Sequence, residues 1–365
     1  MRPFGLISLA TLALIAACSR GGGPVTLGMA GPLKEGFGIE NRRGVELAVA
    51  EINAAGGIDG DSLLIEYRDD DGEGAKAAVI AQEFVDDPRV LAVVGHVTSG
   101  AMLAAAKVYD GNLAAVATTA SSAMLTGISP WVFRVISSDS ANGVDLAHFA
   151  QRLGKRRAAV LYENDAYGRG LADAFRRSFE GEVISTDPIG FEGDHAPIYM
   201  EWLASRRPDL VFIAGTERTG LAFIAAGRAA GLTAEYLGGD GWTGIRSDSV
   251  VSEGALVGAP FTPLDPRPEA QRFVRAYRER FNGAEPDGNA ALSYDAVQLL
   301  VAAIRAGGRD RGAIRDWLAG LRAAGAHAGI TGAIAFDEFG DPVGKAFTMT
   351  RVSRGHLVLA ERGAP

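Results

Sequence analysis

The 365-residue chain has one cysteine, Cys18, which excludes an intrachain disulfide and a cysteine-based metal site. Its five histidines, His96, His148, His195, His327 and His356, are scattered without ligand spacing, so no metal centre is expected. Lysine and arginine (36) are outnumbered by aspartate and glutamate (44), for a net charge of -8. Lys155-Arg156-Arg157 and Arg206-Arg207 are short and each precedes an apolar, strand-like run. They read as solvated helix ends, and no nucleic-acid partner is expected. No nucleophile and base stand in a recognisable motif, so neither catalysis nor a cofactor is expected. Gly239-Asp240-Gly241-Trp242-Thr243-Gly244 matches G-x-G-x-x-G. However, Ile245 to Ser252 lack helical periodicity, and Trp242 would obstruct a phosphate turn. Asp69, Asp71, Glu73 and Gly74 imitate the start of a calcium loop, but Ile80 stands where the closing acid belongs.

Beyond residue 17 no run is long and apolar enough to span a membrane. Phe4 to Ala17 is apolar, follows Arg2, and is too short for a mature span. It ends Ile15-Ala16-Ala17-Cys18, which resembles a bacterial lipoprotein signal. That resemblance implies a signal peptide over 1–17 and lipid attachment at Cys18. A flexible linker over 18–24 would then tether a soluble, extracytoplasmic body to a membrane.

The body is organised around Val94 to Thr126. An apolar run, Val90 to Val94, ends at Gly95, and Thr98-Ser99 stand where a helix can begin. A second run, Leu113 to Ala117, ends in Thr118-Thr119-Ala120-Ser121-Ser122. Two strand ends therefore deliver hydroxyls and free backbone N–H groups to one sheet edge. Helix N-termini there carry partial positive charge, which suits a carboxylate. Ser99 and Ser121 also read as N-caps, a role compatible with the first.

Around this stretch strands and helices alternate. Val25 to Met29 is a strand, a helix shows Val45, Ala48, Val49 and Ile52 on one face, and Leu63 to Tyr67 is the next strand. The pattern restarts at Ala158 to Tyr162, followed by the strands Val183 to Ser185, Leu210 to Ala214, Tyr236 to Gly238 and Ala255 to Gly258. Such alternation predicts an α/β architecture with two doubly wound, parallel-sheet lobes. Phe133 to Ser140 and Pro260 to Pro268 read as crossings between them.

These features together resemble the branched-chain amino-acid-binding family of periplasmic substrate-binding proteins. The resemblance is carried by G-P-L-K-E-G-F-G at Gly31 to Gly38 and G-V-E-L-A-V-A-E-I-N-A-A-G-G-I at Gly44 to Ile58. V-V-G-H-V-T-S-G at Val93 to Gly100, Tyr167-Gly168, Gly238 to Gly241, and Gly329 to Asp341 continue it in order. It implies the type I periplasmic-binding fold, with a three-strand hinge. The N-terminal lobe would comprise 24–138 plus 265–328, and the C-terminal lobe 139–264 plus 329–365. It also implies an ABC importer as partner, a monomer, and a ligand held between the lobes. A lipoprotein sensor or a cell-wall-enzyme-interacting protein on the same fold is the alternative.

Carried over residue by residue, the resemblance assigns the ligand carboxylate to Ser99. Thr119, Ala120 and Ser121 supply a carbonyl and a hydroxyl to the ammonium, and Tyr167 and Asp240 meet it from the second lobe. A zwitterion needs such donors at one end and such an acceptor at the other. Phe37 and Trp242 would flank the ligand as apolar walls. Glu217 departs from the family pattern and either reads a polar side chain or faces solvent. Thr118 stands where the family has proline. These departures leave the ligand's side chain open.

Overall fold

A computed structural model describes residues 23–360 except positions 192 and 194. The leader, Cys18 and most of the linker lie outside the described residues.

The first half of the chain builds a parallel sheet from β1 (Val25–Gly31), β2 (Leu63–Asp69), β3 (Val90–Gly95), β4 (Ala114–Ala117) and β5 (Val132–Arg134). The order is β2-β1-β3-β4-β5. The helices α1 (Gly36–Ala54), α2 (Gly74–Asp86) and α3 (Ser99–Tyr109) connect the first four strands. Every residue of β1, β3 and β4 is buried, as expected for strands covered on both faces. From β1 the chain runs outward to β2 and then returns to β3 on the other side. The carboxyl ends of β1 and β3 therefore flank the switch point, where open α/β sheets bind ligands.

The second sheet follows α4 (Asp139–Arg152). It contains β6 (Arg157–Glu163), β7 (Glu182–Ile189), β8 (Leu210–Ala214), β9 (Glu235–Gly238) and β10 (Leu256–Ala259). Its helices are α5 (Ala166–Ser178), α6 (Ala196–Arg206) and α7 (Glu217–Ala229). Its switch point lies between β6 and β8. The chain then returns to the first lobe as α8 (Pro268–Arg280), α9 (Gly288–Gly307) and α10 (Arg311–Gly320). α9 packs on α1 so closely that a Cβ on Gly44 would overlap the Ala290 carbonyl.

Two features differ from the sequence expectation. Val132–Arg134 is an edge strand, β5, rather than part of a crossing. The lobe boundary expected at 329 also lies later. Ile330, Ile334 and Phe336, around the hairpin β11 (His327–Gly329) and β12 (Gly332–Ile334), are buried in the first lobe's core with Phe133 and Val297. The chain rejoins the second sheet only at β13 (Thr348–Ser353), which pairs antiparallel with β10 and with β14 (His356–Leu359). Short apolar strands look alike in sequence; which core buries them is a tertiary choice.

Candidate functional site

Gly95 ends β3 and Ser99 begins α3, so the intervening loop lies at the first switch point. Behind it is a fully buried relay. His96 Nδ1 lies 2.6 Å from Asp70 Oδ2, and its Nε2 lies 2.9 Å from the Tyr109 hydroxyl. With both ring nitrogens engaged, the imidazole ties the end of β2 to α3 and fixes the path of the loop.

Ser99 is the first helical residue, and Thr98 occupies the cap position without bonding through its side chain. Ser99 Oγ instead accepts from Ser122 N at 3.1 Å, which joins the two hydroxyl-bearing strand ends. Thr119 Oγ1 donates to Val97 O at 2.9 Å. Ser122, not Ser121, caps the short 3-10 turn Ala123–Leu125. Neither expected N-cap therefore acts as one.

From the second lobe, Asp165 caps α5 by accepting from Gly168 N at 2.7 Å, which presents Tyr167 at the helix start. Tyr167 Oη donates to Asp240 Oδ1 at 3.0 Å and accepts from Gly241 N at 3.1 Å. Asp240 opens a 3-10 turn after β9. Burial pushes its carboxyl up to about 6, against the Tyr167 hydrogen bond and backbone N–H groups that favour the charged form. Burial and the charge of Asp240 raise the Tyr167 phenol well above its ordinary value, so it stays protonated and donates.

Between the lobes is a cavity of ≈ 80 Å³ lined by Phe37, Val97, Ser99, Thr119, Tyr167 and Asp240, among others. Five of the residues expected from sequence thus converge there. Thr216 and Asn289 also line it and were not anticipated. Asn289 sits in the first turn of α9, 49 residues beyond Asp240 in sequence, and no local motif marks it.

The remaining expected residues lie elsewhere. Ala120 and Ser121 are wholly buried behind the wall, and Ser121 Oγ has no hydrogen-bond partner. Trp242 is not a ligand wall. It is fully buried in the second lobe's core with Phe223 and Ile245, fitted against Gly220 and Gly238. Glu217 does not line the seat's cavity but a larger adjoining one of ≈ 510 Å³, which shares Phe37 and Thr216 with it.

Asp139, at the start of α4, is a further buried acid. Neither carboxylate oxygen has a hydrogen-bond partner. Burial, and then the charge of Asp240, push it well above the usual carboxylate range. Ser121 lies near enough to favour its charged form but is outside hydrogen-bonding geometry. Among the described residues no cluster is suited to a metal ion, and no helix is long and apolar enough to cross a membrane.

Two α/β lobes whose switch points face each other across a polar seat have the geometry of a small-solute binding site. The periplasmic binding protein family model matches residues 24–356, and the chain belongs to that family. A relative from Pseudomonas aeruginosa named "Amino acid binding protein" is 29% identical, covering 86% of this chain and 87% of its own. An ABC transporter substrate-binding protein from Desulfitobacterium hafniense, solved in complex with Leu, is 30% identical. Its TM-score is 0.79, and the match covers 92% of this chain and 100% of that one. A branched-chain amino acid transporter substrate-binding protein from Streptococcus pneumoniae, in complex with isoleucine, is 26% identical. Its TM-score is 0.85, with coverage of 92% and 97%.

Proposed function

We propose that this protein captures an α-amino acid between its lobes and delivers it to an ABC importer. The observation that carries this reading is the Tyr167–Asp240 pair facing Ser99 and Thr119 across one small cavity. A buried carboxylate held by a phenol hydrogen bond suits an ammonium. Hydroxyls and amides at the start of α3 suit a carboxylate. Each charge-assisted hydrogen bond contributes about 1.5–3 kcal/mol. Relatives named for amino-acid or branched-chain amino-acid binding support the ligand class.

Contacts between the lobes describe a closed arrangement. Ser122 Oγ donates to Ala166 O at 3.0 Å, Asn289 Nδ2 to Thr243 Oγ1 at 3.1 Å, and Arg218 pairs with Glu35 at 2.8 Å. Hinge opening would break all three and admit the ligand. Cys18 would anchor the body to the membrane through lipid.

Thermal melting against the twenty amino acids, benzoate and small amides tests the reading. A ligand at 100 times its Kd raises stability by about 2.7 kcal/mol. Stabilisation by at least one amino acid is expected. No shift with any amino acid would overturn the reading.

A further inference from the structure

Glu217, the first residue of α7, reaches out of the second lobe toward the start of α1 in the first. Its Oε1 lies 2.7 Å from where a Cβ on Gly36 would stand. Its Oε2 fills the place of a Cβ on Gly244. Two glycines, one from each lobe, therefore form the walls of a slot that this carboxyl occupies. Glu217 is half-buried here, and opening the lobes would withdraw one wall and expose its carboxyl further to water.

The groups around the slot are mostly acidic. Glu40 faces it from α1, and Asp287 from the cap of α9. Arg218 on the same helix and Arg246 on the nearby 3-10 turn Ile245–Ser247 oppose them weakly. Both guanidiniums are engaged elsewhere, Arg218 with Glu35 and Arg246 with the Glu285 carbonyl at 2.8 Å. Glu40 is itself bonded to Arg43 and to the Tyr277 hydroxyl, and Glu285 to Arg278 and His356. Burial first, then the charges of Asp287 and Glu40, push Glu217 up to about 7.

We propose that Glu217 is a positioning residue for ligand capture, an acid latch whose carboxyl fits the Gly36–Gly244 slot in its neutral form, so that closure of the lobes takes up a proton. The proposal rests on the closure reading above. In the open state Glu217 faces water and titrates near the ordinary 4.5; in the closed state it titrates near 7. Its favourable contribution to closure is therefore complete below about 4.5 and declines as pH rises to about 7. Above 7 it is gone, and closing brings a half-buried charge up against like charges.

The test compares the wild-type chain with Glu217→Gln, which mimics the neutral acid at every pH. Fluorescent labels at Asp86→Cys and Glu180→Cys, exposed positions on opposite lobes, report the closed-to-open ratio by single-molecule energy transfer. The reading is taken without ligand and with 10 mM L-leucine. The wild-type ratio divided by the Glu217→Gln ratio should fall by up to about tenfold per pH unit from 5 to 7, then level off. Dividing by the variant cancels the titration of Asp240. Thermal melting of the variant at pH 5 checks that its fold is intact. A quotient that does not change between pH 5 and 8 overturns the latch, as does Glu217→Gln closing less readily than wild type at pH 8. If no amino acid shifts the closed fraction, the amino-acid reading fails, while the ligand-free quotient still judges the latch.

Discussion

The Tyr167 hydroxyl bridges the turn after β9, donating to Asp240 Oδ1 at 3.0 Å while accepting from Gly241 N at 3.1 Å. One phenol from α5 thus orients the acid that our account places against the ligand's ammonium. Tyr167→Phe removes both bonds and leaves the buried carboxylate without its phenol donor. Amino-acid affinity should fall by about 1–3 kcal/mol, read by calorimetry at pH 7.5. Unchanged affinity would separate Asp240 from the ligand.

The same acid sets a pH limit. Asp240 must be charged to hold an ammonium, and burial pushes its carboxyl up to about 6. Its contribution to binding is therefore present above 6 and lost as pH falls below it, with Kd rising up to about tenfold per unit. Glu217 acts in the opposite sense, so the profile is best taken in the Glu217→Gln background. A flat profile from pH 7.5 to 4.5 in that background would contradict the assignment.

Arg134 is 2% exposed. It donates to Asp341 Oδ1 at 2.6 Å, to Thr126 Oγ1 at 2.7 Å, and to the carbonyls of Ser121 and Ser122 at 3.0 and 2.9 Å. It thus fastens the segment behind the seat to the last return of the chain. Arg134→Met leaves the Asp341 carboxylate and those carbonyls without their cation. A loss of about 3–5 kcal/mol of stability is expected in denaturant unfolding. A loss under 1 kcal/mol would show that the network contributes little.

Packing of α1 against α9 makes a separate prediction. Gly44→Ala places a methyl against the Ala290 carbonyl, which is backbone and cannot swing aside. The helices must separate, at a cost of about 1–3 kcal/mol or more. A lower melting temperature is expected, whereas Gly111→Ala, at an exposed turn with open space around it but a φ of +76°, reports backbone strain alone.

The parallel strands were legible because strands buried on both faces leave continuous apolar runs, as in Val90 to Val94 and Leu210 to Ala214. Ser99 and Thr119 were legible because each stands just past such a run; Tyr167 and Asp240 were reached through the family resemblance, and each stands at the start of a helical turn. Trp242 was misplaced because adjacency to Asp240 in sequence says nothing about direction. The tight 3-10 turn sends it into the core, where Gly220 and Gly238 leave room for the indole. Asn289 and Thr216 reach the cavity only through the docking of α9 and α7, which no local pattern encodes. Asp139 shows no signal of its burial beyond its position after Ser138, which caps α4.

The most direct test of the central claim is calorimetric titration of the body with the amino acid that most raises its melting temperature, for wild type, Ser99→Ala and Asp240→Asn. The account predicts one site per chain in the wild type, with affinity reduced by about 1.5–3 kcal/mol in each variant. Full-affinity binding by Asp240→Asn, or equal binding of the deaminated acid, would contradict an ammonium held at Asp240.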